Sequence, residues 1–295
     1  MDHRDVVSDL PAATRQRLTA RSTAAGLGHL AAHLGLAALL GGLIVARVPG
    51  WPLLLPVHGV VLTFLFTLEH ECTHKTPFAS EWLNEAAGRL AGGLLVLPFT
   101  WFRHFHLAHH RHTNIAGKDP ELDTPRPETP GRWLWHVSGL PYWGAQARLV
   151  LRLATGRERP AFLPARARPR AEAEARAMLA LYVLALGSLA FTPHVLWLWI
   201  VPALLGQPAL RLYLLAEHGD CPRVANILAN TRTTFTNAAV RFLAWNMPYH
   251  TEHHVYPAVP FHRLPEMHAL MRDRLRVTAD GYAAFTKAYL DRRRG

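Results

Sequence analysis

Cysteine is nearly missing from this 295-residue chain, which has only Cys72 and Cys221. Two cysteines cannot build a disulfide-dense secreted scaffold, and without a CxxC pair they argue against a thiolate zinc or iron–sulfur site. Charge is also scarce, at 18% of residues against 50% apolar, which excludes a disordered solvating chain. Acidic residues are outnumbered, 21 Asp and Glu against 32 Lys and Arg, so the formal charge of +11 needs a membrane or a polyanion to explain it. No internal repeat is visible, and residues 1–295 read as one domain. What the chain has in excess is histidine, 19 in all.

The apolar residues come in blocks. Arg21 and Arg47 enclose an uncharged run, a second extends from Val48 to Leu68, and a third of 34 residues from Ala177 to Leu210 is broken at Pro193. A membrane span needs ~20 apolar residues, so the first two runs are one span each and the third is a helical hairpin. This predicts an all-α integral membrane protein with four transmembrane helices near 26–46, 52–69, 177–191 and 195–216. Leu90–Phe102 has only 13 uncharged residues, a length that suits a re-entrant or interfacial segment better than a span. Asp2, Asp5 and Asp9 ahead of the first run, and its length, argue against a removable signal peptide.

Lys and Arg fix the expected orientation. Segment 103–176 carries 13, the tail 217–295 carries 11, and four precede residue 25, whereas the turns Val48–Trp51 and 191–194 carry none. By the positive-inside rule both termini and the middle loop are cytoplasmic. The expected fold is thus four spans with a cytoplasmic helical cap, residues 70–176 and 217–295, in a multi-pass inner-membrane protein. Trp133, Trp135, Tyr142 and Trp143, beside Arg148 and Arg152, suggest a helix lying in the headgroup plane, although the surrounding prolines leave an ordinary loop open.

The histidines cluster. His70-Glu71-Cys72-Thr73-His74 follows the second apolar run, and His106-Leu107-Ala108-His109-His110 follows the short one. His250-Thr251-Glu252-His253-His254 lies beyond the last run, and His218 stands alone at that run's end. On a helix, residues at i, i+3 and i+4 share a face, so the first cluster aims two imidazoles one way and the others three each. With His218 that makes nine, too many for one four-coordinate zinc and enough for two transition metals with four or five ligands each. All clusters fall on one side of the membrane if 90–102 does not cross it. Iron, copper, nickel and zinc all remain open at this point.

HECTH, HLAHH and HTEHH, in this order and with these separations, resemble the three histidine boxes of the membrane fatty acid desaturase superfamily, which also holds hydroxylases and carotenoid-modifying enzymes. Arg111-His112-Thr113-Asn114 and Asp119-Pro120-Glu121 after the second box extend the likeness, as do Asn246-Met247-Pro248-Tyr249 before the third and Val255-Tyr256-Pro257 after it. Thr231-Arg232-Thr233 and Thr236-Asn237 are similar to a bacterial branch. The resemblance covers roughly residues 50 to 270.

It implies a di-iron centre held by His70, His74, His106, His109, His110, His218, His250, His253 and His254, with O2 as co-substrate and a double bond introduced into a lipid acyl chain. Neutral imidazole ligands need partners for their far nitrogens. Candidates are Glu69, Glu71, Asp119, Asp123, Glu217 and Glu252, with His112 and Asn246 close by. Electrons must come from outside, because nothing in the chain resembles a flavin, haem or iron–sulfur site, and an electron-donor protein of the ferredoxin type with its reductase is implied. Nucleic acid is not an expected partner. In animal acyl-CoA members an asparagine one turn before the isolated histidine reaches the metal through water; here Leu214 stands there, against a close analogy with them.

Hydroxylation or ketolation of a lipid on the same scaffold is the nearest alternative. A metal transporter or a zinc-dependent membrane hydrolase belongs to other classes. His29 and His33, within the first span, read as packing or channel-lining residues. His104 is off the box face, and Cys72 points away from His70 and His74. Leu264, Met267, Leu270 and Met271 form a packing stripe near His262 and His268.

Overall fold

The computed structural model describes residues 2–294. Two short helices, α1 (His3–Ser8) and α2 (Ala12–Leu18), lead into α3 (Thr23–Val45). Helices α4 (Leu54–Thr63) and α5 (Leu65–His74) form a rod interrupted at Phe64. They are followed by α6 (Glu81–Leu95), α7 (Phe99–His112), α8 (Pro130–Val137) and α9 (Leu140–Ala154). Helix α10 (Arg168–Gly187) and, after a π-helical turn Leu196–Ile200, α11 (Val201–His218) complete the long elements. The tail adds α12 (Ile227–Asn230), α13 (Ala238–Leu243), α14 (His250–Val255), α15 (Leu264–Met271) and α16 (Tyr282–Asp291). The only sheet among the described residues is a parallel pair of two-residue strands, Thr233–Thr234 with Thr278–Ala279.

Four helical stretches are long and apolar enough to cross a membrane: Ala12–Val45, Trp51–His74, Ala165–Ala190 and Leu196–His218. They correspond to the four expected spans but outrun them. The third begins at Ala165 rather than near 177, and the second carries the whole first histidine cluster to His74. Apolarity stops where the bilayer would stop, whereas a helix continues while its hydrogen bonds do, so charged turns such as Arg168–Arg176 extend the rods.

The short apolar stretch does not cross. Helix α6 ends at Leu95 and is followed by left-handed Val96 (φ 59°), and the Leu97 N–H closes back on the Gly92 carbonyl at 2.8 Å. Helix α7 then returns to the end from which α6 came. The turn leaves three carbonyls inside the helical bundle, where an unsatisfied one costs free energy. Each has a donor: Tyr182 Oη to Gly93 at 2.7 Å, Trp199 Nε1 to Leu94 at 2.8 Å and Tyr142 Oη to Leu95 at 2.8 Å.

The aromatic middle segment forms two helices, α8 and α9, rather than one helix or a loop. Leu134, Trp135, Leu140 and Leu151 remain exposed on them, an apolar surface beside arginines of the kind that sits in a headgroup layer. In the stripe on α15, Leu264, Met267 and Met271 are buried but Leu270 is not.

Helices α4 and α11 touch backbone to backbone. A Cβ on Gly59 would lie 2.0 Å from the Pro202 carbonyl oxygen, and one on Gly206 would lie 2.1 Å from Gly59 itself. Small residues at such a crossing let two rods approach closely in lipid. Because α4 leads to the first histidine cluster and α11 ends at His218, this contact sets their spacing. Gly206→Leu should therefore destabilise the protein by more than about 2 kcal/mol, read as a drop in melting temperature in detergent; an unchanged melting temperature would show that the crossing is loose.

Candidate metal centre

Each histidine cluster lies at or near a helix end, where the chain must turn. Helix α5 ends at His74 and turns through left-handed Lys75 (φ 60°), while α7 ends at His112 just before left-handed Asn114 (φ 63°). Helix α11 ends at His218, and α14 begins at His250. Four helix ends thus meet at one place.

There the nine boxed and isolated histidines come together as two groups. The ligand atoms of His70, His74, His106, His110 and His253 lie within 4.8 Å of one another, and so do those of His109, His218 and His254. His250 joins the second group, its Nε2 3.1 Å from that of His218. The groups are neighbours: the His110 and His254 rings stack at 4.0 Å with an 8° tilt.

The separations fit metal ions. Two imidazole nitrogens each ~2.1 Å from one ion and ~90–100° apart would be ~3.0–3.2 Å from each other. His74 and His106 bring their Nε2 atoms to 2.9 Å, His110 and His253 to 3.2 Å, and His109 and His218 to 3.2 Å. Here ring nitrogens face one another across the two groups. Neither His70 nitrogen, nor His254 Nε2, has a hydrogen bond among the described residues. Orphaned lone pairs aimed at a common point are what a cation would satisfy.

The far nitrogens are held mainly by the cap. His109 Nδ1 meets Asp119 at 2.9 and 3.0 Å, and Asp119 is itself fixed by the Asn114 and Glu121 backbone N–H groups. His218 Nδ1 donates to the Asn230 carbonyl at 3.1 Å, and His254 Nδ1 meets Thr113 Oγ1 at 3.2 Å. Glu217 stands 3.4 Å from His250 Nδ1, and buried Glu71 stands 3.7 Å from His253 Nδ1.

Electrostatics divide the cap imidazoles. Burial, reinforced by neighbouring imidazoles, pushes His106, His110, His250, His253 and His254 well below the usual histidine range, keeping them neutral as metal ligation requires. His109 is equally buried, but the charge of Glu121 and the bond to Asp119 outweigh that burial and raise it.

The other expected partners sit differently. Glu252 lies within the third box yet turns from its histidines, accepting from Thr233 Oγ1 and from His268 Nδ1, both at 2.5 Å. Asp123 is exposed on its turn and bonds no histidine among the described residues. Asn246 donates to the Phe261 carbonyl at 3.0 Å, and Glu69 is fully buried with neither carboxylate oxygen hydrogen-bonded among the described residues. His112 is half-buried in a cavity wall. Leu214 packs in an apolar cluster with Leu210 and Tyr213. Sequence reasoning did not assign a site role to Glu121, 3.3 Å from His109, although Asp119-Pro120-Glu121 was a visible motif. Thr113 and the Asn230 carbonyl were also missed; a backbone acceptor leaves no signal in residue type.

Residues 48–286 match the family described as fatty acid desaturase. Among curated proteins, an sn-1 oleoyl-lipid 12-desaturase of Picosynechococcus sp. is 37% identical over 89 residues, 29% of this chain and 26% of that protein. An omega-6 fatty acid desaturase of the endoplasmic reticulum from Brassica juncea is 30% identical over 83 residues, 28% of this chain and 21% of that one. A Delta(12) fatty acid desaturase of Mortierella isabellina is 33% identical over 110 residues, 34% and 27% of the two chains. The chain thus aligns with only about a quarter of the length of these relatives.

Removing the charge that holds His109 should loosen metal without unfolding the cap. Asp119→Asn is expected to weaken metal retention by ~10–100-fold. A graded chelator challenge followed by elemental analysis measures it, and equal retention in the two proteins would leave Asp119 without that role.

Proposed function

Because the chain belongs to the fatty acid desaturase family, we propose that it is an O2-dependent di-iron oxidoreductase that introduces a double bond into a lipid acyl chain. The observation that carries this is the pairing of five imidazoles with four around two adjacent points. His70, His74, His106, His110 and His253 would hold one iron, and His109, His218, His250 and His254 the other.

When bound, the irons supply an oxidant made from O2 that is strong enough for an unactivated methylene. The overall reaction takes two hydrogens from adjacent carbons, one O2, two electrons and two protons, and yields a carbon–carbon double bond and two waters. The chain's own residues do the rest. Burial keeps His106, His110, His250, His253 and His254 uncharged, Asp119 and the Asn230 carbonyl orient His109 and His218, and Thr113 orients His254.

The electrons come from an external carrier of the ferredoxin type with its reductase. A cavity of about 630 Å³ reaches His110 and His254 from beyond the end of α7, with Arg4 and Arg111 in its walls. Helix α1 contributes His3, Arg4, Val7 and Ser8 to those walls, while its carboxylates Asp2 and Asp5 are not among them. Its positive lining, on the side away from the hairpin turn of α6 and α7, suits an acidic carrier approaching through water. We place this face, both termini and the metal site in the cytoplasm, on the charge asymmetry of the loops.

Expression with a ferredoxin and its reductase, followed by lipid mass spectrometry, tests the reaction. Loss of two hydrogens from an acyl chain is the expected product; a gain of oxygen would instead make the chain a hydroxylase. The purified protein should carry two irons, and His109→Ala or His253→Ala should abolish turnover while the protein still inserts; near-normal turnover would refute the ligand assignment. Arg4→Glu should raise the carrier's KM about tenfold and flatten its salt dependence; an unchanged KM would move the carrier elsewhere.

A further inference from the structure

The reading above leaves two histidines of the first span without work. His33 is fully buried and uses both ring nitrogens: Nε2 donates to the Val61 carbonyl at 2.8 Å, and Nδ1 accepts the Trp245 indole N–H at 3.3 Å. These two partners select a single neutral tautomer. One turn earlier, His29 Nε2 donates to the Phe242 carbonyl at 2.8 Å. Its ring lies 4.3 Å from that of Trp245 and 4.9 Å from that of Phe261. An i, i+4 pair on α3 thus grips the segment that leads into the third box.

That segment needs gripping. Trp245 and Asn246 are consecutive left-handed residues, with φ of 49° and 59°, and neither is glycine. A bulky side chain leaves that region unless its surroundings over-determine it. His33 holds the indole from one side, while on the other Asn246 Nδ2 donates to the Phe261 carbonyl at 3.0 Å. The Phe261 N–H donates in turn to Glu71 Oε2 at 3.0 Å, and Glu71 Oε1 faces His253. The contacts therefore run from α3 through Trp245, Asn246 and Phe261 to the first and third boxes, and α14 starts only four residues after Asn246.

We propose that His33, assisted by His29, is a positioning residue: through Trp245 it latches the left-handed turn that sets His250, His253 and His254 against the other boxes. The first span contributes no ligand, yet it fixes where three of them stand. This rests on the metal-centre reading only for the metal readout of its test.

The test uses the full chain in detergent, with hydrogen exchange over residues 241–255 and metal content per chain. His33→Leu should raise exchange in that segment roughly tenfold, as for the loss of a buried hydrogen bond, and should reduce bound metal. His33→Gln, whose amide can donate to Val61 and accept the indole N–H, should restore both. Trp245→Phe keeps a ring and removes the N–H; it should reproduce the effect of His33→Leu, and combining the two should add nothing further. It also carries the test if His33→Leu fails to insert. Unchanged protection in His33→Leu and Trp245→Phe would overturn the latch, with or without metal. A wild-type protein without transition metal would overturn the metal reading, and the exchange data would still decide the latch.

Discussion

Nine imidazoles gathered in one buried place are the constraint on which the rest of this chain depends. A buried nitrogen without a partner is expensive, and a buried charge more so. The site can exist only if its lone pairs converge on cations and its remaining N–H groups find acceptors. The first condition demands that residues 36 to 184 positions apart, from His70 to His106 and to His254, be brought to within a coordination sphere. Helix ends supply the place, because there one rod can deliver two or three imidazoles on a single face and the chain can then turn away. Left-handed residues mark those turns: Lys75, Asn114 and Asp220 follow clusters, and Trp245 and Asn246 precede one.

The second condition explains the cap. The turn 113–123 and the short elements after α11 provide Asp119, Thr113 and the Asn230 carbonyl to the far sides of rings held on the rods, and Glu217 reaches His250 from the last turn of α11 itself. Asn114 ties these segments together, donating its side-chain N–H groups toward the Pro222 and Asn230 carbonyls while its backbone N–H holds Asp119. With histidines on rigid helices and their hydrogen-bonding partners on cross-linked loops, the protein itself sets the shape of the site. His109 differs from the other cap imidazoles because Asp119 and Glu121 bring negative charge to it, so the two groups are electrostatically unequal as well as unequal in number.

What the sequence disclosed follows physical range. Spacing within a helix is local, so HECTH, HLAHH and HTEHH announced their shared faces directly, and long uncharged runs announced the spans. Contacts set by tertiary packing were less visible. Glu252 has the right type and position to serve a neighbouring box histidine, but α15 places His268 closer and takes it. Asp123 and Asp119 look alike in sequence, and only the turn that exposes one and buries the other separates them. His29 and His33 have the spacing of ligands, but what they face is Phe242, Trp245 and Val61, more than a dozen positions away in each case.

The re-entrant hairpin shows how the constraint reaches into the bundle. The first two boxes can meet only if the chain between them crosses the membrane an even number of times, and α6 with α7 achieves this without crossing. The depth at which the hairpin turns then decides where His106, His109 and His110 stand, since α7 is a rigid rod of 14 residues, ~21 Å long. A slip of one residue at the turn would shift those imidazoles by ~1.5 Å, several times the ~0.5 Å tolerance of a working site. Tyr142, Tyr182 and Trp199, from three different elements, each hold one carbonyl of the turn. Side chains that only satisfy backbone groups among apolar neighbours thereby fix the height of the second box, so the register of the histidine groups is set partly at a turn well away from them.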